Sequence, residues 1–377
     1  MSGRQQSNIL SPPKNGRAVW IDTEQGRTNP SDFLSDLDYQ KQILGGVSRT
    51  FALTIPQLPP GLTNLVTNAY LLCRIIDTIE DEESLTIEQK RLFLQEFIDV
   101  ASGRASAVNF ANALFPMLSK SSLPAERELI QNTPCIVRIT RSFTKKQQSI
   151  LERCLVIMSR GMERFQENKS VHGLKDVSQL DSYCYHVAGV VGELLTELFC
   201  DHSTEIAKNR ETLLRLARSF GQGLQMTNIL KDLWEDRNGG VCWLPQDVFY
   251  RTGFDLKDLT QGQYCHAFGD GLSILVAIAH AHLKNALRYT LIIPRCEKGI
   301  RRFCLWAIAM AIFTLKNIEN KRDFSMGREV KISRRTVKRI IIITNLTLRS
   351  NLLLKMLFDL SARGLPISKI GSRLPGR

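Results

Sequence analysis

The chain has 377 residues, a formal net charge of +13 and a hydrophobic fraction of 43%, values that suit a globular protein with a sizeable core. The excess of lysine and arginine predicts an anionic partner, and nucleic acid, an anionic membrane or a diphosphate would each fit. The nine cysteines include no CxxC pair, so we expect no zinc site. We predict buried, reduced thiols, with Cys73, Cys184 and Cys304 inside apolar stretches.

The two ends of the chain differ in composition from its middle. Residues 1–34 are polar and rich in Gly, Pro, Ser and Asn, which predicts a flexible arm, and residues 361–377 form a predicted basic tail. The sequence begins without the apolar run of a signal peptide, and no segment reaches the roughly 20 apolar residues of a membrane span. We therefore expect no transmembrane anchor and a cytoplasmic location.

Apolar residues recur with the period of an α-helix through most of residues 35–360. The predicted helical segments are 62–81, 86–102, 147–166, 178–200, 204–236, 270–292, 300–318 and 334–358. We find no alternating strand pattern bounded by hairpin turns and no repeat of fixed period. The predicted fold class is all-α, with one large domain at residues 35–360.

A short motif, Ser48-Arg49-Thr50-Phe51, precedes a proline-rich break at residues 57–61. Arg49 could bind a diphosphate, and Phe51 could face a carbocation. Alone the motif is a weak signal, because such residues are common at helix starts.

The first acidic motif is Asp77-Thr-Ile-Glu80-Asp81, at the end of predicted helix 62–81. Asp77 and Asp81 are four residues apart and share a helix face with Tyr70 and Arg74. Like charges at this spacing repel, and carboxylates so placed suit Mg²⁺, which prefers hard oxygen ligands. A solvated acidic helix end is the equal alternative for this motif by itself.

Between the two acidic motifs lies a run with small residues on one face, residues 183–192. Ala188, Gly189 and Gly192 share that face, and a glycine inside a helix costs about 1 kcal/mol relative to alanine. We therefore expect a close approach, either by another helix or by a long apolar ligand. In the second case Tyr183 would lie near the reacting carbons, where an aromatic face can stabilise a cation.

The second acidic motif lies in predicted helix 204–236, where Gln225, Asn228, Asp232 and Asp236 form one polar stripe. An ordinary amphipathic helix would also explain this stripe alone. Two matching stripes in one helical chain favour metal binding. The predicted Mg²⁺ ligands are Asp77, Glu80, Asp81, Asn228, Asp232 and Asp236.

These four motifs, in this order, resemble those of the squalene/phytoene synthases, which are head-to-head prenyltransferases. Residues 239–249 are also similar to the family, and the likeness spans roughly residues 40–340. The resemblance implies an isoprenoid-synthase domain with a deep central cavity. It further implies Mg²⁺-dependent condensation of two farnesyl diphosphates to presqualene diphosphate, followed by NADPH-dependent reduction to squalene.

The same resemblance implies roles for individual residues. The implied catalytic residues are Tyr183, Phe51 and Arg74. The implied substrate-binding residues are Ser48, Arg49, Arg74, Gln225, Asn228 and Lys231. Squalene synthases commonly have arginine where this chain has Lys231, which keeps the charge but lacks the two-pronged geometry of a guanidinium group.

Residues 330–335 are similar to a basic segment that squalene synthases use with NADPH. The predicted NADPH-binding residues are Lys331, Arg334 and Arg335, although the family's basic-glycine ending is replaced here by Arg334-Arg335-Thr336. Residues 340–358 are apolar but interrupted by charge, which predicts an amphipathic helix and peripheral contact with an anionic surface at the cytoplasmic membrane face.

Three other functions compete with this prediction. A phytoene or dehydrosqualene synthase would stop without reduction, and a non-catalytic assembly factor could keep the same fold. The intact aspartate pairs argue against the assembly factor. Nucleic-acid binding is disfavoured because no such motif is present and the acidic stripes would repel phosphates in the absence of a metal. We predict a monomer.

Overall fold

Helices are the main secondary structure of the computed structural model, which describes residues 21–23, 26–28, 30–167 and 169–368. The first half contains α1 (Pro30–Val47), α2 (Arg49–Thr54), α3 (Pro60–Asp81), α4 (Ile87–Ser102), α5 (Ala107–Leu114), α6 (Pro124–Gln131), α7 (Thr133–Ser142) and α8 (Lys145–Gln166). The second half contains α9 (Val177–Cys184), α10 (Val190–His202), α11 (Thr204–Ala207), α12 (Arg210–Lys231), α13 (Leu233–Asn238), α14 (Gln246–Thr252), α15 (His266–Ile292), α16 (Lys298–Asn320), α17 (Gly327–Val330), α18 (Arg334–Thr347) and α19 (Asn351–Ser361).

Short irregular elements join these helices. A π-helical segment, Tyr185–Gly189, connects α9 to α10 without a break in the chain direction. Single 3₁₀ turns occur at Ile55–Gln57, Phe115–Met117 and Leu256–Asp258. Two three-residue strands, β1 (Ile21–Thr23) and β2 (Gly26–Thr28), pair antiparallel with Ile21 opposite Thr28. The predicted all-α fold class is confirmed.

The local sequence explains where several helices begin. Thr86 and Thr144 are the N-caps of α4 and α8, and each forms a capping box with a glutamine three residues later. Pro60 is the first residue of α3, a position where the missing N–H has no helical partner to lose. The first predicted boundary, between residues 34 and 35, falls inside α1. Residues 1–20 and 369–377 lie outside the described residues, so the three-part division of the chain stays a prediction.

Two hydrophobic clusters form the core. The first is built mainly on α1, α3–α8 and α10, and the second on α9, α13–α15 and the C-terminal helices. The long helices α12, α15 and α16 contribute to both. Val187 and Phe220 are only partly buried and contact both clusters, so the boundary between the clusters passes through the π segment and α12.

Glycines allow α12 to lie against the segment from the π turn to α10. A Cβ at Gly221 would stand 2.1 Å from the carbonyl oxygen of Ala188, and one at Gly192 would stand 2.3 Å from that of Ala217. The close approach predicted for residues 188–192 is therefore made by a neighbouring helix. All nine cysteines are free, and Cys73, Cys184 and Cys304 are buried as predicted. No helix among the described residues combines the length and the apolar character needed to cross a bilayer.

Candidate active site

The first acidic motif occupies the last turn of α3, as predicted. Arg74, one turn earlier, lies 3.7 Å from Asp77 Oδ2 and 3.7 Å from Glu126 Oε1. It also donates a hydrogen bond of 3.1 Å to Tyr70 Oη. Arg74 and Asp77 keep about a quarter of their side-chain surface exposed, so both can meet a ligand. Glu126, on α6, is a partner that the sequence did not indicate.

Glu80 differs from the two aspartates of its motif because it is already paired. Lys169 Nζ lies 3.0 Å from Glu80 Oε1, and the Gln166 side-chain amide donates to the same oxygen. Lys90 Nζ donates to the backbone carbonyl of Glu80 at 2.6 Å. The Glu80 carboxylate thus connects the end of α3 to the segment after α8. The Glu80 carboxylate is therefore already engaged in the structure, and nothing in the local sequence indicates that Lys169 is its partner.

The second acidic motif corrects the prediction of one continuous helix through residue 236. Helix α12 ends at Lys231, and Asp232 adopts φ −96° and ψ 14° before α13 begins at Leu233. The break buries Trp234, whose indole N–H donates to the Phe324 carbonyl oxygen at 2.7 Å. Asp236 N–H still donates to the Asp232 carbonyl oxygen at 2.9 Å, so these aspartates remain one turn apart.

Lys231 stands among the oxygen atoms of this second motif. Its ammonium group lies 3.0 Å from Asp232 Oδ2 and donates to Asn228 Oδ1 at 3.3 Å. Two predicted metal ligands therefore share one protein cation. Gln225, one turn before Asn228, is half-buried on the same helix.

Three carboxyl groups of the two motifs, those of Asp77, Asp81 and Asp236, have raised pKa values. Burial, assisted by Glu80 and Glu126 and opposed by Arg74, raises the pKa of Asp77 to about 6. Burial, followed by repulsion from Asp232 and Glu235, raises the pKa of Asp236 to about 7. Burial by the neighbouring atoms, followed by the charges of Glu80 and Asp77, holds the pKa of Asp81 well above the ordinary value, although its side chain still contacts water. Burial and the neighbouring carboxylates together therefore outweigh the effect of Arg74, Lys169 and Lys231 on these three groups.

Carboxylates of both motifs influence each other and Tyr183 electrostatically. Glu80 of the first motif contributes to the raised pKa of Asp236 in the second. Burial, together with Glu80, Asp81 and Asp236, raises the pKa of Tyr183 well above 10. The Tyr183 ring stacks on Trp243 with centroids 3.9 Å apart and meets Phe165 edge to face at 5.2 Å. Trp243 lies within residues 239–249, which resemble the family, but no sequence pattern indicates that it stacks on Tyr183.

The Ser48 motif lies at the start of α2. Ser48 Oγ accepts the Phe51 N–H at 3.0 Å, so the serine caps this helix and its oxygen is already engaged. Arg49 is exposed, whereas Phe51 is half-buried with its ring 5.0 Å from that of Tyr70. Tyr70 in turn bonds Arg74, so Phe51 lies close to the first acidic motif.

The predicted NADPH residues lie on an exposed segment that is tied to the second motif. Lys331, Arg334 and Arg335 are all exposed at the start of α18. Just before them, the Gly327 N–H donates to Glu235 Oε1 at 2.9 Å. A Cβ at residue 327 would lie 2.7 Å from the Lys231 carbonyl oxygen, so only glycine fits this contact without a shift of the backbone. Glu235 therefore anchors the segment that leads into α18.

A line of half-buried apolar residues extends away from the carboxylates. Val187, Val191 and Leu195 recur along the π segment and α10, and Phe220 and Leu224 recur along α12. Their spacing of three or four residues places each set on one face of its helix. These faces are candidates for the apolar wall that the resemblance implies, and the deep cavity itself stays a prediction.

The residues present fit a magnesium–diphosphate site better than a metal site made of protein alone. Among the described residues, no three His, Cys, Asp or Glu side chains are arranged to hold a metal ion. Mg²⁺ is commonly held by only one or two carboxylates together with water and substrate phosphates. Asp77 and Asp81 lie in the last turn of α3, and Asp232 caps the C-terminal end of α12, where the backbone adds partial negative charge. The donor atoms and the excess negative charge thus suit Mg²⁺, whose binding stays a prediction.

A profile of the squalene/phytoene synthase family matches residues 44–336, more than half of the chain. Squalene synthase ERG9 of Saccharomyces cerevisiae is 30% identical over 311 residues, which cover 80% of this chain and 65% of the yeast protein. Human squalene synthase is 29% identical over 290 residues, which cover 75% of this chain and 64% of the human protein. The chain thus spans slightly less than two thirds of the length of these relatives.

Solved structures show the same fold. A structure of TcSQS in complex with the ligand E5700 has a TM-score of 0.66 and 24% identity, and the match covers 89% of this chain and 93% of that one. A dehydrosqualene synthase in complex with a ligand has a TM-score of 0.61 and 20% identity, with coverage of 85% and 99%. Both similarities describe the fold alone.

Proposed function

Because the chain belongs to the squalene/phytoene synthase family, we propose that it joins two molecules of farnesyl diphosphate head to head and reduces the resulting presqualene diphosphate to squalene. The observation that supports this proposal is a buried tyrosine, Tyr183, whose ring stacks on Trp243 and whose pKa is raised by burial and by carboxylates of both acidic motifs. The names of the relatives support squalene as the product.

Four carboxylates would hold the metal in this proposal, namely Asp77, Asp81, Asp232 and Asp236. Bound Mg²⁺ would neutralise a diphosphate and favour its departure as a leaving group. Arg74 already lies beside Asp77, where its guanidinium group can bind phosphate oxygens in a two-pronged manner. Lys231 is held by Asn228 and Asp232 and would move from these oxygens to the phosphates.

The aromatic residues would act on the allylic part of the substrate. The raised pKa of Tyr183 keeps its phenol neutral, so the group can hydrogen-bond without adding negative charge. Its ring and that of Phe51 would stabilise a carbocation through their faces. The half-buried apolar faces of α10 and α12 would exclude water from the cation. NADPH would supply the hydride for reduction, and Lys331, Arg334 and Arg335 carry the charge that its phosphates require.

Product analysis tests the proposal directly. The purified chain is incubated with farnesyl diphosphate and Mg²⁺, with and without NADPH, and the products are identified by mass spectrometry. We expect squalene with NADPH and presqualene diphosphate without it, and no product from Asp77→Ala with Asp232→Ala. The exposed Asp38→Ala, on α1, is the matched control.

Other products would support other functions. The same hydrocarbon with and without NADPH would favour a dehydrosqualene synthase, an alternative consistent with the fold shared with that enzyme. A geranylgeranyl product would favour a phytoene synthase. No product under any condition, from a folded chain, would favour an assembly factor.

The cellular setting also belongs to the proposal. Nine free cysteines suit a reducing compartment, which supports a cytoplasmic location. Peripheral contact with an anionic membrane surface would place the chain near its apolar product. The monomeric state stays a prediction.

A further inference from the structure

The outer faces of α18 and α19 expose large apolar side chains. Ile342 and Leu346 on α18 are 59% and 81% exposed, and Leu352, Met356 and Leu360 on α19 are 68%, 58% and 64% exposed. On each helix these residues are spaced by three or four positions, which makes a stripe. Contiguous apolar surface of this kind marks a site of contact with a protein or a membrane.

The opposite faces of both helices are fixed to the body of the molecule. On α18, Thr344 is buried and its hydroxyl accepts the Trp306 indole N–H at 2.9 Å. On α19, Leu354 and Phe358 belong to the second core cluster. Both helices pack on α16 and contact each other, so the two apolar stripes belong to neighbouring helices.

The charge of this surface is strongly positive. Between residues 334 and 363 the chain has seven exposed basic residues and a single acidic one, Asp359. None of the seven forms an ion pair with a carboxylate of the described chain. The basic residues are Arg334, Arg335, Lys338, Arg339, Arg349, Lys355 and Arg363. Apolar residues flanked by unpaired cations match the interface of an anionic bilayer.

A cavity of about 290 Å³ opens where α19 meets α12 and α15. Arg215, Arg288 and Lys355 line it over an apolar floor that includes Leu216 and Leu291, and no carboxylate is among its lining residues. Each of the three cations lacks a carboxylate partner within the described chain. The cavity therefore has the charge for a phosphate group and the floor for the carbon atoms attached to it.

A fourth positive charge lies next to this cavity. Arg301 is fully buried, and its guanidinium group donates to the carbonyl oxygens of Leu348, Thr290 and Ile293 and to Asn351 Oδ1. Asn351 also lines the cavity. None of these acceptors is charged, so the buried charge adds to the positive field.

We propose that the α18–α19 face docks on an anionic phospholipid bilayer and that the Arg215–Arg288–Lys355 cavity receives the phosphate of a lipid head group. Lys355 belongs to both parts, since it lines the cavity and lies one residue before the exposed Met356. Helix α12 contributes Arg215 to the cavity near its first residues and Asn228 and Lys231 to the acidic site near its last ones. The proposal does not depend on the reaction that the chain catalyses.

Vesicle co-sedimentation tests the proposal with the full chain. We expect binding to vesicles of phosphatidylcholine with 30% phosphatidylglycerol, about 10-fold weaker binding to pure phosphatidylcholine, and release by 0.5 M NaCl. Two double variants should each reduce vesicle binding at least about 10-fold. The first is Leu352→Ser with Met356→Ser, and the second is Arg215→Gln with Arg288→Gln. The controls are Leu92→Ser, which changes a residue 69% exposed on α4, and Arg160→Gln with Lys257→Gln, which removes two exposed cations elsewhere.

Three results would overturn the proposal. The first is unchanged vesicle binding in both test variants. The second is stabilisation by inorganic phosphate, lost in Arg215→Gln with Arg288→Gln, in a chain that binds no vesicles, because the cavity would then be a site for free phosphate. The third is a dimer, seen by sedimentation velocity, that becomes a monomer in the Leu352→Ser, Met356→Ser double variant while vesicle binding is unchanged. In that case the α18–α19 face would join two copies of the chain.

Discussion

Two carboxyl groups of the acidic site make the stability of the ligand-free chain depend on pH. The pKa of Asp77 is raised to about 6 and that of Asp236 to about 7, so between pH 4 and 7 the folded chain holds more protons than the unfolded chain. Their contribution to stability is therefore complete below about pH 4 and is lost as the pH rises through 6 and 7. A site that binds cations is destabilised by its own charge until the cation arrives.

We predict that Asp77→Asn and Asp236→Asn each stabilise the ligand-free chain at pH 7.5. The gain should be about 1–2 kcal/mol, after allowance for the partial exposure of these groups, and should vanish near pH 4. Urea unfolding at both pH values measures it, and Asp38→Asn on α1 is the exposed control. The prediction would be contradicted if the free energy of unfolding changed equally between the two pH values in the variants and in the unchanged chain.

Individual site residues were predictable from sequence only where spacing alone places them. Asp77 and Asp81 are four residues apart, about one helical turn, and both lie at the end of α3 in the structure. The pairing of Glu80 with Lys169 joins residues 89 positions apart, and no local pattern encodes such a contact. The family resemblance implies that Ser48 binds substrate. In the structure its hydroxyl caps α2, a role that its position before a helix equally allows.

At the scale of helices, sequence period identified the long elements and missed the short ones. The predicted segments 62–81, 147–166 and 300–318 correspond to α3, α8 and α16 within two residues at each end. Helices α5, α6 and α7 have only eight to ten residues, too few for a period to stand out. The break at Asp232 was missed because it depends on Trp234 reaching the Phe324 carbonyl, a contact distant in sequence.

The contact between α12 and the π segment is sensitive to a single methyl group. We predict that Gly221→Ala destabilises the chain by about 2 kcal/mol, since its Cβ would meet the backbone of Ala188, which cannot move independently. Gly45→Ala, on α1 with nothing within 4 Å of its Cβ, is the matched control and should gain up to about 1 kcal/mol. Equal unfolding midpoints for the two variants would show that α12 does not need this close approach.

At the scale of the whole molecule, carboxylates are concentrated at one site of a basic chain. The chain carries a net charge of +13, yet the ends of α3 and α12 concentrate carboxylates, while residues 334–363 include seven exposed cations. A diphosphate alone therefore meets repulsion at the acidic site and attraction elsewhere. Mg²⁺ bound at the acidic site would reverse the repulsion there.

We predict that Mg²⁺ and inorganic pyrophosphate together raise the melting temperature by about 3 °C at saturating concentrations, and that neither alone does so. The shift should disappear in Asp77→Asn with Asp232→Asn. It should persist in Arg215→Gln with Arg288→Gln, which separates the acidic site from the basic cavity. An equal shift with pyrophosphate and no metal would contradict the prediction.

The hydrogen bond between Glu235 and Gly327 has a consequence for how this protein can diverge. One face of α13 carries Asp236, while Glu235 on the same short helix holds the segment that leads to Lys331. A substitution of either Glu235 or Gly327 would disturb the acidic motif and the basic segment at once. We therefore expect the two positions to change together or not at all among related sequences, so that the acidic motif on α13 and the basic segment before α18 are inherited as one unit.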